Sequence, residues 1–375
     1  MNRKMRIAVV GAGLGGMTVA GFLQREGFDV AIYEQAQCFA RLGAGITLSP
    51  NVTKVLRRLG IEDDLIKAGV TPNRYMSRAW NTGEIIHEFV FDSAADERFD
   101  GAFVTLHRGD LHAVLAKGVS PSTIVFDHRL VRLEDMGHAI RLFFENGATA
   151  DADIVIGADG IRSKVREYLL GIEPPRFAGA VAYRSVFPTD RLGGFKIPDH
   201  TKWWGPGSHL VCYFVRSERD EVNVMAAVPS AAWEWENASR PSSAEEMMAV
   251  FDGSHDDLRR VLKGVGDVNV WPIYDRERND KWSGGRVVLL GDACHAMRPY
   301  MGAGGASAIE DAAILSRCLA HYRDLSEALN VYEATRIPRV GEVQRISMEN
   351  SWLRGPTETN WYYGYDACTA PLKAA

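Results

Sequence analysis

The chain has 375 residues, of which 46% are hydrophobic and 24% charged, a composition typical of a globular protein with one large or two interlocked domains. A net charge of -5, an isoelectric point near 6.1 and no apolar run of roughly eighteen residues argue against nucleic-acid and membrane partners. The five cysteines are scattered, odd in number and without a Cys-x-x-Cys pair, so we expect a cytoplasmic protein with no metal site.

The most informative stretch lies near the amino terminus. Residues 7–10 are an apolar run typical of a β-strand, and Gly11, Gly13 and Gly16 follow in the pattern Gly-x-Gly-x-x-Gly, before a predicted helix from residue 17. In a dinucleotide site the first glycine permits a tight turn, the second admits a pyrophosphate and the third lets helix and strand pack closely. The phosphates then bind at the amino end of that helix.

Glu34 strengthens this prediction. It follows a second predicted strand, residues 29–33, at the distance where a carboxylate binds a ribose hydroxyl. A secretory signal peptide is the competing interpretation, because basic residues precede the apolar run. Glycines interrupt that run and no convincing cleavage site follows, so the dinucleotide site is favoured.

The next two segments also indicate a large ligand. Residues 41–51 are glycine-rich and predict a loop, held in place by a helix whose apolar positions from 52 to 59 follow the i, i+3, i+4, i+7 pattern. Arg108 lies at the entrance of another predicted helix. Without context, an ordinary surface salt bridge is the simpler interpretation of Arg108.

Two further strands end at carboxylates. Residues 153–157 form a predicted strand that is apolar after Asp153 and leads into Asp159 and Gly160, and residues 285–290 lead into Gly291 and Asp292. The second strand is followed by a glycine-rich loop and a predicted helix over residues 306–319. An apolar strand that stops at a glycine and a carboxylate is typical of the ligand-binding edge of a parallel sheet. A plain loop is the alternative for Asp159.

Between these motifs, from about residue 176 to 275, the pattern changes to alternating strands. Period-two geometry places His209 and Tyr213 on one face of a strand over residues 209–215, which pairs with residues 221–228 in a predicted hairpin. We predict a nucleotide-binding domain from residues 1–71, 101–175 and 276–345. Residues 72–100 and 176–275 would form a substrate domain, and residues 346–375 an aromatic-rich tail.

The ordered combination of these motifs resembles the single-component FAD-dependent aromatic hydroxylases, the family that includes salicylate and 4-hydroxybenzoate hydroxylases. The resemblance covers roughly residues 5–345. It implies an α/β fold with a Rossmann-like FAD-binding domain of the para-hydroxybenzoate hydroxylase type and an interleaved β-sheet substrate domain. It also implies that FAD, NADH or NADPH and O2 serve to hydroxylate a small aromatic substrate through a flavin hydroperoxide. A homodimer is one option for the assembly.

The resemblance assigns cofactor roles to residues by their matching positions. The first glycine motif and Glu34 would hold the ADP half of FAD, Asp292 with Arg108 the ribityl or pyrophosphate region, and Asp159 both FAD and the pyridine nucleotide. The loop from residue 299 to 304 would lie beside the isoalloxazine ring. The full set is Gly11, Gly13, Gly16, Glu34, Gln35, Arg41, Gly45, Arg108, Asp159, Asp292, Pro299, Gly302, Ala303 and Gly304.

Hydroxylation requires an electron-rich ring, so a base with a pKa near the working pH should remove the proton of a substrate hydroxyl. His209 is the first candidate, because imidazole titrates in that range, and Tyr213 would orient or relay. Thr47 and Tyr300 would line the pocket. In the branch of the family that acts on hydroxynicotinate, histidines are expected at positions 47 and 300, whereas His209 and Tyr213 match. The substrate is therefore left open between a hydroxypyridine and a hydroxybenzoate, with or without decarboxylation.

Other interpretations stay open at this point. A flavin reductase or dehydrogenase of the same fold would use the same FAD residues without inserting oxygen. A non-catalytic FAD-binding sensor could use the aromatic residues 361–365 as a partner contact, although such rings more often pack on the protein itself. His209 could be an ordinary core histidine, and His295 and Cys294 are better explained as structural residues.

Overall fold

Two large β-sheets, each assembled from separate parts of the chain, organise the fold. The computed structural model describes residues 5–41, 44–233 and 239–374. The strands are β1 (Arg6–Val10), β2 (Asp29–Tyr33), β3 (Gly45–Leu48), β4 (Arg74–Ala79), β5 (Ile85–Val90), β6 (Val104–His107), β7 (Ile124–Val125), β8 (Leu130–Asp135), β9 (Ile140–Phe144), β10 (Thr149–Ala152), β11 (Ile154–Gly157), β12 (Arg176–Pro188), β13 (His200–Trp204), β14 (His209–Phe214), β15 (Glu221–Pro229), β16 (Arg240–Ser242), β17 (Val268–Asp275), β18 (Ser283–Gly284) and β19 (Val287–Leu289).

Twelve α-helices connect and cover these strands in the described part of the chain. They are α1 (Leu14–Arg25), α2 (Pro50–Arg58), α3 (Glu62–Ala68), α4 (Ser93–Phe99), α5 (Arg108–Ala116), α6 (Lys164–Leu170), α7 (Ala244–Val250), α8 (Asp256–Gly264), α9 (Asp292–His295), α10 (Gly304–His321), α11 (Leu325–Glu349) and α12 (Asn360–Tyr363). Short 3-10 turns occupy Pro121–Thr123, Thr189–Leu192 and Pro299–Met301. No helix of the described residues combines the length and the apolarity that crossing a membrane requires.

The first sheet has six strands in the order β18-β19-β11-β1-β2-β7, and all neighbours are parallel except β18 and β19. Its central strands are apolar because both faces are covered; β11 and β19 are buried along their whole length. The strands predicted over residues 7–10, 29–33 and 153–157 are confirmed. Since parallel strands end at one edge, the chain segments that follow β1, β2, β11 and β19 lie side by side.

The second sheet has eight strands in the order β16-β17-β12-β15-β14-β13-β4-β5. Strands β4 and β5 come from the segment before residue 100, and the others from residues 176–275. The hairpin predicted from residues 209 to 228 is confirmed as the antiparallel pair β14 and β15. Leu210, Cys212 and Phe214 face a hydrophobic core that includes side chains of α7 and α8. The alternate positions His209, Val211 and Tyr213 therefore face the first sheet.

Two local predictions differ from the structure. The loop expected over residues 41–51 contains a strand, β3, because Ile46 and Thr47 pair in antiparallel register with Leu106 and Thr105 of β6. Residues 42 and 43 of that stretch lie outside the described residues. The sequence patterns also failed to indicate the three-stranded antiparallel sheet β10-β9-β8. The strand predicted over 285–290 is confirmed in part, as β19, and Asp292 starts the short helix α9 rather than a loop.

A buried network of charges joins α10 to α11. Glu310 and Asp311, adjacent on α10, accept hydrogen bonds from Arg336 at 2.8 Å and 2.7 Å, and Arg339 donates to Glu310 at 2.8 Å. His295 contacts the second oxygen of Asp311 at 2.5 Å. Burial alone would raise the pKa of both carboxyl groups, but the positive side chains outweigh it and lower the pKa of each. Both carboxylates are therefore ionised in the folded protein.

The aromatic tail packs on the protein's own body. Tyr362 and Tyr363 are buried within the hydrophobic core of the first sheet, and Trp352 joins them. Arg339 donates to the carbonyl of Trp361 at 2.9 Å, and Lys54 donates to the carbonyl of Gly364 at 3.1 Å. These contacts identify the tail as a structural part of the fold rather than a free partner contact.

We predict that Arg336→Met lowers the free energy of unfolding by about 3–5 kcal/mol, because it leaves two buried carboxylates without their shared counter-charge. Urea denaturation of the holoprotein measures this change. Arg345→Met, on the exposed face of the same helix, is the matched control and should change stability little.

The loss of stability in Arg336→Met should also depend on pH, and the direction of this dependence follows from the two carboxylates. Because the folded-state pKa values of Glu310 and Asp311 are lowered, their contribution is complete at neutral pH and is lost as the pH falls through the acidic range. The difference between wild type and Arg336→Met should therefore shrink on acidification. A constant difference would contradict this assignment.

Candidate active site

A single elongated cavity of about 1170 Å³ runs between the two sheets. This volume exceeds the range of about 300–1,000 Å³ that pockets for one drug-sized ligand occupy. One end lies at the carboxyl edge of the first sheet, and the other is walled by the second sheet. Eleven of the predicted site residues line it, namely Gly13, Gly45, Thr47, Arg108, His209, Tyr213, Asp292, Pro299, Tyr300, Gly302 and Gly304.

The glycine motif lies at the first end of the cavity. Gly11 has φ +99°, and a side chain there would meet the backbone oxygen of Ala158 at 2.5 Å. A Cβ at Gly16 would lie 2.0 Å from the carbonyl oxygen of Gly11, so only glycine lets α1 start this close to the turn after β1. Gly13, in contrast, faces open space in the cavity. The first and third glycines therefore shape the turn, and the second leaves room for a ligand.

Two helices point their amino ends into the cavity. Helix α1 starts after Gly13 and helix α10 starts after Ala303, and no side chain caps either end. Leu14 and Gly15 of α1, and Gly304 and Gly305 of α10, line the cavity. Uncapped N–H groups at a helix amino end attract anions, and phosphate above all. The cavity therefore suits a ligand with phosphate groups near its centre.

Glu34 lies beside the glycine turn. Its carboxylate accepts hydrogen bonds from the backbone N–H of Ala12 at 2.8 Å and of Ala36 at 2.9 Å. These bonds orient the carboxylate at the end of β2, where a ribose of a bound dinucleotide would lie. Gln35 lines a separate cavity of about 400 Å³ with Asp127 and Arg129, so the structure does not bring it to the main cavity.

Three further predicted residues contact other parts of the protein and do not line the cavity. Arg41 donates to Asp110 at 2.9 Å and also forms an ion pair with Glu221, so it joins α5 to β15 outside the cavity. The carboxylate of Asp159 caps α6 through the N–H of Lys164 at 2.7 Å, and burial raises its pKa. Ala303 is fully buried as the residue before α10. The surroundings of these three residues therefore support a structural role, in which they hold neighbouring helices and strands in place.

Arg108 is different, because no ion pair joins it to a carboxylate in the part of the chain that the structure describes. It begins α5, is exposed at the cavity, and His107 caps that helix by accepting from the N–H of Gly109 at 3.1 Å. The surface salt bridge considered for Arg108 is thus not found among the described residues. Its guanidinium is available to an anionic ligand.

The second end of the cavity is one face of the eight-stranded sheet. The strand register places three rows of side chains across this face, two residues apart on each strand. Ala182, Ala227, His209 and Trp204 form the first row, Arg184, Met225, Val211 and Lys202 the second, and Val186, Asn223, Tyr213 and His200 the third. The predicted pair His209 and Tyr213 therefore lies on one wall with two cations, Arg184 and Lys202.

His209 is buried, and its ring packs edge-on against Tyr300 with centroids 5.0 Å apart. Its Nδ1 lies 3.1 Å from the amide nitrogen of Asn350, whereas its Nε2 is buried without a partner among the described residues. Burial, and then the charge of Lys202, lower the pKa of His209 well below its ordinary value. The ordinary imidazole pKa expected from the sequence does not hold here, and the ring is neutral.

Tyr213 stacks on His200 at 5.0 Å with an interplanar angle of 7°. Burial raises the pKa of Tyr213 against the smaller opposing effects of Arg184 and Thr47, so its phenol keeps its proton. Burial also lowers the pKa of His200 to about 3. The Thr47 hydroxyl is 3.4 Å from Nε2 of His200. Thr47, Tyr213, His209 and Tyr300 therefore surround the same end of the cavity with neutral polar groups.

Four residues at this end were missed by sequence reasoning: Arg184, His200, Lys202 and Asn350. A charged residue inside the otherwise apolar run around Arg184 was a usable signal, and so was the two-residue spacing of His200 and Lys202. Burial lowers the pKa of Lys202 to about 7, and its ammonium donates to the carbonyl of Tyr300 at 3.0 Å. No sequence pattern around Asn350 indicated a site residue, because only the tertiary fold brings Asn350 to His209.

One group of possible metal ligands lies in the core. Cys294, His295 and Asp311 have ligand atoms within 4.8 Å of one another. The carboxylate oxygen of Asp311 that faces His295 also accepts the N–H of Gly291 at 3.0 Å, and its other oxygen binds Arg336. The contacts of the group are thus those of a hydrogen-bonded structural network.

These features define the class of the protein as a dinucleotide-binding oxidoreductase whose cavity fits FAD. The space at Gly13, the uncapped amino end of α1 and the oriented Glu34 would hold the ADP half, and the amino end of α10 would lie beside the flavin ring. Asp292 and the turn from Pro299 to Gly304 lie where the cavity passes to the second sheet. A flavin there would face the wall that carries His209 and Tyr213.

Comparison with known proteins identifies the family. The family model for an FAD binding domain matches residues 4–347. The chain is 43% identical to 6-hydroxynicotinate 3-monooxygenase of Pseudomonas fluorescens, across 99% of this chain and 98% of that protein. It is 37% identical to 3-amino-4-hydroxybenzoate 2-monooxygenase of Streptomyces cremeus, across 92% and 86%. Klebsiella pneumoniae HpxO, solved with FAD and uric acid, superposes with a TM-score of 0.82 at 26% identity, covering 96% and 92%.

The chain therefore belongs to the family of FAD-dependent aromatic-ring monooxygenases. The α/β fold and the FAD cofactor expected from the sequence motifs are confirmed. The roles of individual site residues stay predictions.

We predict that Glu34→Ala yields largely apo protein, because the ribose-binding carboxylate and its bonds to the turn after β1 are lost together. The ratio of flavin to protein absorbance after purification measures the bound FAD. Glu97→Ala, an exposed carboxylate on α4, is the control and should retain full FAD. A normal flavin content in Glu34→Ala would contradict the assignment of the ADP site.

Proposed function

We propose that this enzyme hydroxylates an aromatic ring that carries both an oxygen substituent and a carboxylate, of the hydroxypyridine or hydroxybenzoate class. NADH or NADPH would serve as the electron donor and O2 as the oxygen source. The observation that carries the proposal is the unpaired cation Arg184 on the cavity wall opposite the flavin end. The relatives support the same class, since a hydroxynicotinate and a hydroxybenzoate are both aromatic acids.

Arg184 has no ion pair within the described residues, and its Nε is buried without a hydrogen-bond partner. It lines the cavity in the same row as Met225 and Val211. Burial lowers the pKa of Arg184, but a guanidinium remains charged at any physiological pH. Arg184 is half-buried, and a charge partly withdrawn from water without a counter-ion is costly, so an anionic ligand would gain affinity by neutralising it.

The spacing of the wall supports a ring between Arg184 and His209. Strand β15 separates β12 from β14, so their backbones lie about 10 Å apart, two strand spacings. The long side chain of Arg184 spans part of this distance. The space that remains between its guanidinium and His209 matches the length of a ring with substituents at opposite ends. A carboxylate on Arg184 would thus place a ring oxygen near His209 and Tyr213.

Bound FAD supplies the redox chemistry, the uptake of hydride and the activation of O2. The protein's own residues then bind and orient the ring. Tyr213 and His209 would contact the ring oxygen, Arg184 the carboxylate, and Lys202 would add positive potential to the wall. His209, Tyr213 and Lys202 are buried and Arg184 is half-buried, so their charges and dipoles act in a medium of lower dielectric than water and stabilise negative charge on the ring more than water would.

Thr47 and Tyr300 are the positions that argue for a substrate other than 6-hydroxynicotinate itself. We propose that they adjust the pocket to the particular ring, because both lie beside His209 and Tyr213 and neither is the histidine expected in the hydroxynicotinate branch. Product analysis by mass, including release of carbon dioxide, identifies the ring and reveals whether its carboxylate is kept.

We also propose a cytoplasmic location and a homodimer. The cysteines of the described chain are all free thiols, which fits a reducing compartment. Ile85, Ile86 and Val90 are exposed on β5, the edge strand of the second sheet, and an exposed apolar edge favours pairing with a second copy. Light scattering of the purified holoenzyme measures the assembly.

The function predicts that one aromatic acid accelerates anaerobic reduction of the bound flavin by NADH or NADPH. Stopped-flow absorbance with 6-hydroxynicotinate, 4-hydroxybenzoate, salicylate and related rings measures the rates. We expect an acceleration of at least tenfold by the cognate ring, followed by one hydroxylated product per reduced nucleotide in air. Fast reduction without any ring would instead support a reductase, and slow reduction with every ring would support a sensor.

Arg184→Met should raise the dissociation constant of a carboxylated ring about 10–100-fold, the loss expected for one charged hydrogen bond. The same change should leave binding of the ring without its carboxylate unaltered. Perturbation of the flavin absorbance measures both, with the aromatic acid that most accelerates flavin reduction as one ligand and the same ring without its carboxylate as the other. Arg191→Met, an exposed arginine just after β12, is the matched control. Equal weakening of both ligands would mean that Arg184 is only structural.

A further inference from the structure

Asn350 joins two functional side chains behind the cavity wall. Its amide oxygen is 3.1 Å from the ammonium of Lys202, and its amide nitrogen is 3.1 Å from Nδ1 of His209. The residue ends α11 in the left-handed region, with φ 50°. Asparagine adopts this conformation more readily than most residues, so the backbone itself delivers the amide to this position.

Lys202 determines the orientation of the side-chain amide of Asn350. An ammonium only donates hydrogen bonds, and Lys202 donates a further one to the carbonyl of Tyr300 at 3.0 Å. It also lies 3.9 Å from the centroid of the Trp204 ring, a contact that favours the charged form. The oxygen of the Asn350 amide must therefore face Lys202. Its NH2 group then faces His209.

This orientation determines where the proton of His209 lies. An NH2 group donates, so Nδ1 of His209 must accept and carries no hydrogen. A neutral imidazole has one N–H, which is then on Nε2. Nε2 is buried, has no partner among the described residues, and belongs to a side chain that lines the cavity. The polar atom of His209 that is left for a ligand is therefore a hydrogen-bond donor.

We propose that Asn350, held by Lys202, is a positioning residue that locks His209 in the Nε2–H tautomer, so that His209 binds the ring oxygen of the substrate as a donor and is not the base. This inference rests on the proposed function for the identity of the ligand only. It replaces the role of base that the sequence suggests for His209, since an Nε2 that already carries a proton has no lone pair in the ring plane to accept another.

The assignment narrows the form in which the substrate binds. A donor at Nε2 favours a ring oxygen that is purely an acceptor, either a phenolate or the carbonyl of a hydroxypyridine in its oxo form. The imidazole neither gains nor loses a proton on binding. The ring oxygen arrives without its proton, and His209 and Tyr213 both donate to it.

The primary test reads the tautomer directly and needs no substrate. Holoenzyme labelled with ¹⁵N-histidine is examined by NMR, and His209→Gln assigns the signals of His209. We expect an unprotonated Nδ1 and a protonated Nε2 in the wild type. In Asn350→Asp the new carboxylate accepts from Nδ1–H, so the pattern should reverse. Asn146→Asp, the same change at an exposed site, should leave His209 unaltered.

Two more variants separate positioning from structure. Asn350→Gly keeps the left-handed backbone but removes the amide, and Lys202→Met removes the donor that orients it. Both should give a mixture of tautomers in a folded, FAD-containing protein. A protonated Nδ1 in the wild type, or an unchanged pattern in Asn350→Asp, would overturn the proposal.

The pH profile gives a second readout. The groups that face His209 are Asn350 of α11, Lys202 and Trp204 of β13, and Tyr300, and no carboxylate forms an ion pair with it in the described chain. Burial lowers the pKa of Lys202 to about 7, so ligand-stimulated flavin reduction in the wild type should show at most the limb of Lys202 and none from this imidazole. Asn350→Asp should acquire a limb near neutral pH and lose about 10–100-fold in kcat/KM, an effect expected of one charged hydrogen bond. If no ring stimulates the wild type, the proposed function fails while the NMR result still decides the tautomer.

Discussion

The pair of carboxylates at Glu310 and Asp311 is the constraint on which the rest of the structure depends. Two adjacent negative charges in the core are tolerable only because Arg336 and Arg339 of the next helix neutralise them. Asp311 also accepts the N–H of Gly291, which fixes the turn that presents Asp292 to the cavity. The amino end of the same helix, α10, lies at the flavin end of the site. One network of charges therefore sets the position of both segments, and both line the cavity.

The network also reaches the other side of the cofactor site. Asn51, at the start of α2, donates to Glu310 at 2.7 Å, and α2 follows directly on β3. Strand β3 carries Thr47 to the substrate wall. Gly45 donates its N–H to Asn223 of β15 at 2.7 Å and thereby joins β3 to the second sheet. The charges buried beside the first sheet thus hold the segment of β3 and α2, and this segment contacts both ends of the cavity. These bonds explain how separate parts of the chain meet with a defined geometry.

The nucleotide end of the site was predictable from sequence because its chemistry is local. A strand, three glycines and a carboxylate are enough to specify a phosphate-binding turn, and the structure shows the steric reason at Gly11 and Gly16. The substrate end depends on which strands become neighbours. The two-residue period of a strand placed His209 and Tyr213 on one face. A charge inside an apolar run made Arg184 conspicuous, but it did not show that Arg184 lies on the same wall, and nothing local indicated Asn350. The lowered pKa of His209 was equally invisible, since it arises from burial and the charge of Lys202.

The path of the chain has a consequence for biosynthesis. The residues that line the cavity begin at Gly13, yet Trp352, Leu353, Tyr362 and Tyr363 also line it. Tyr363 packs among Phe99, Phe103 and Phe89, so these late residues complete a wall that much earlier residues begin. Because synthesis proceeds from the amino terminus, the residues of the glycine turn leave the ribosome long before residue 363 does. The wall of the cavity can therefore be completed only when almost the whole chain has been made.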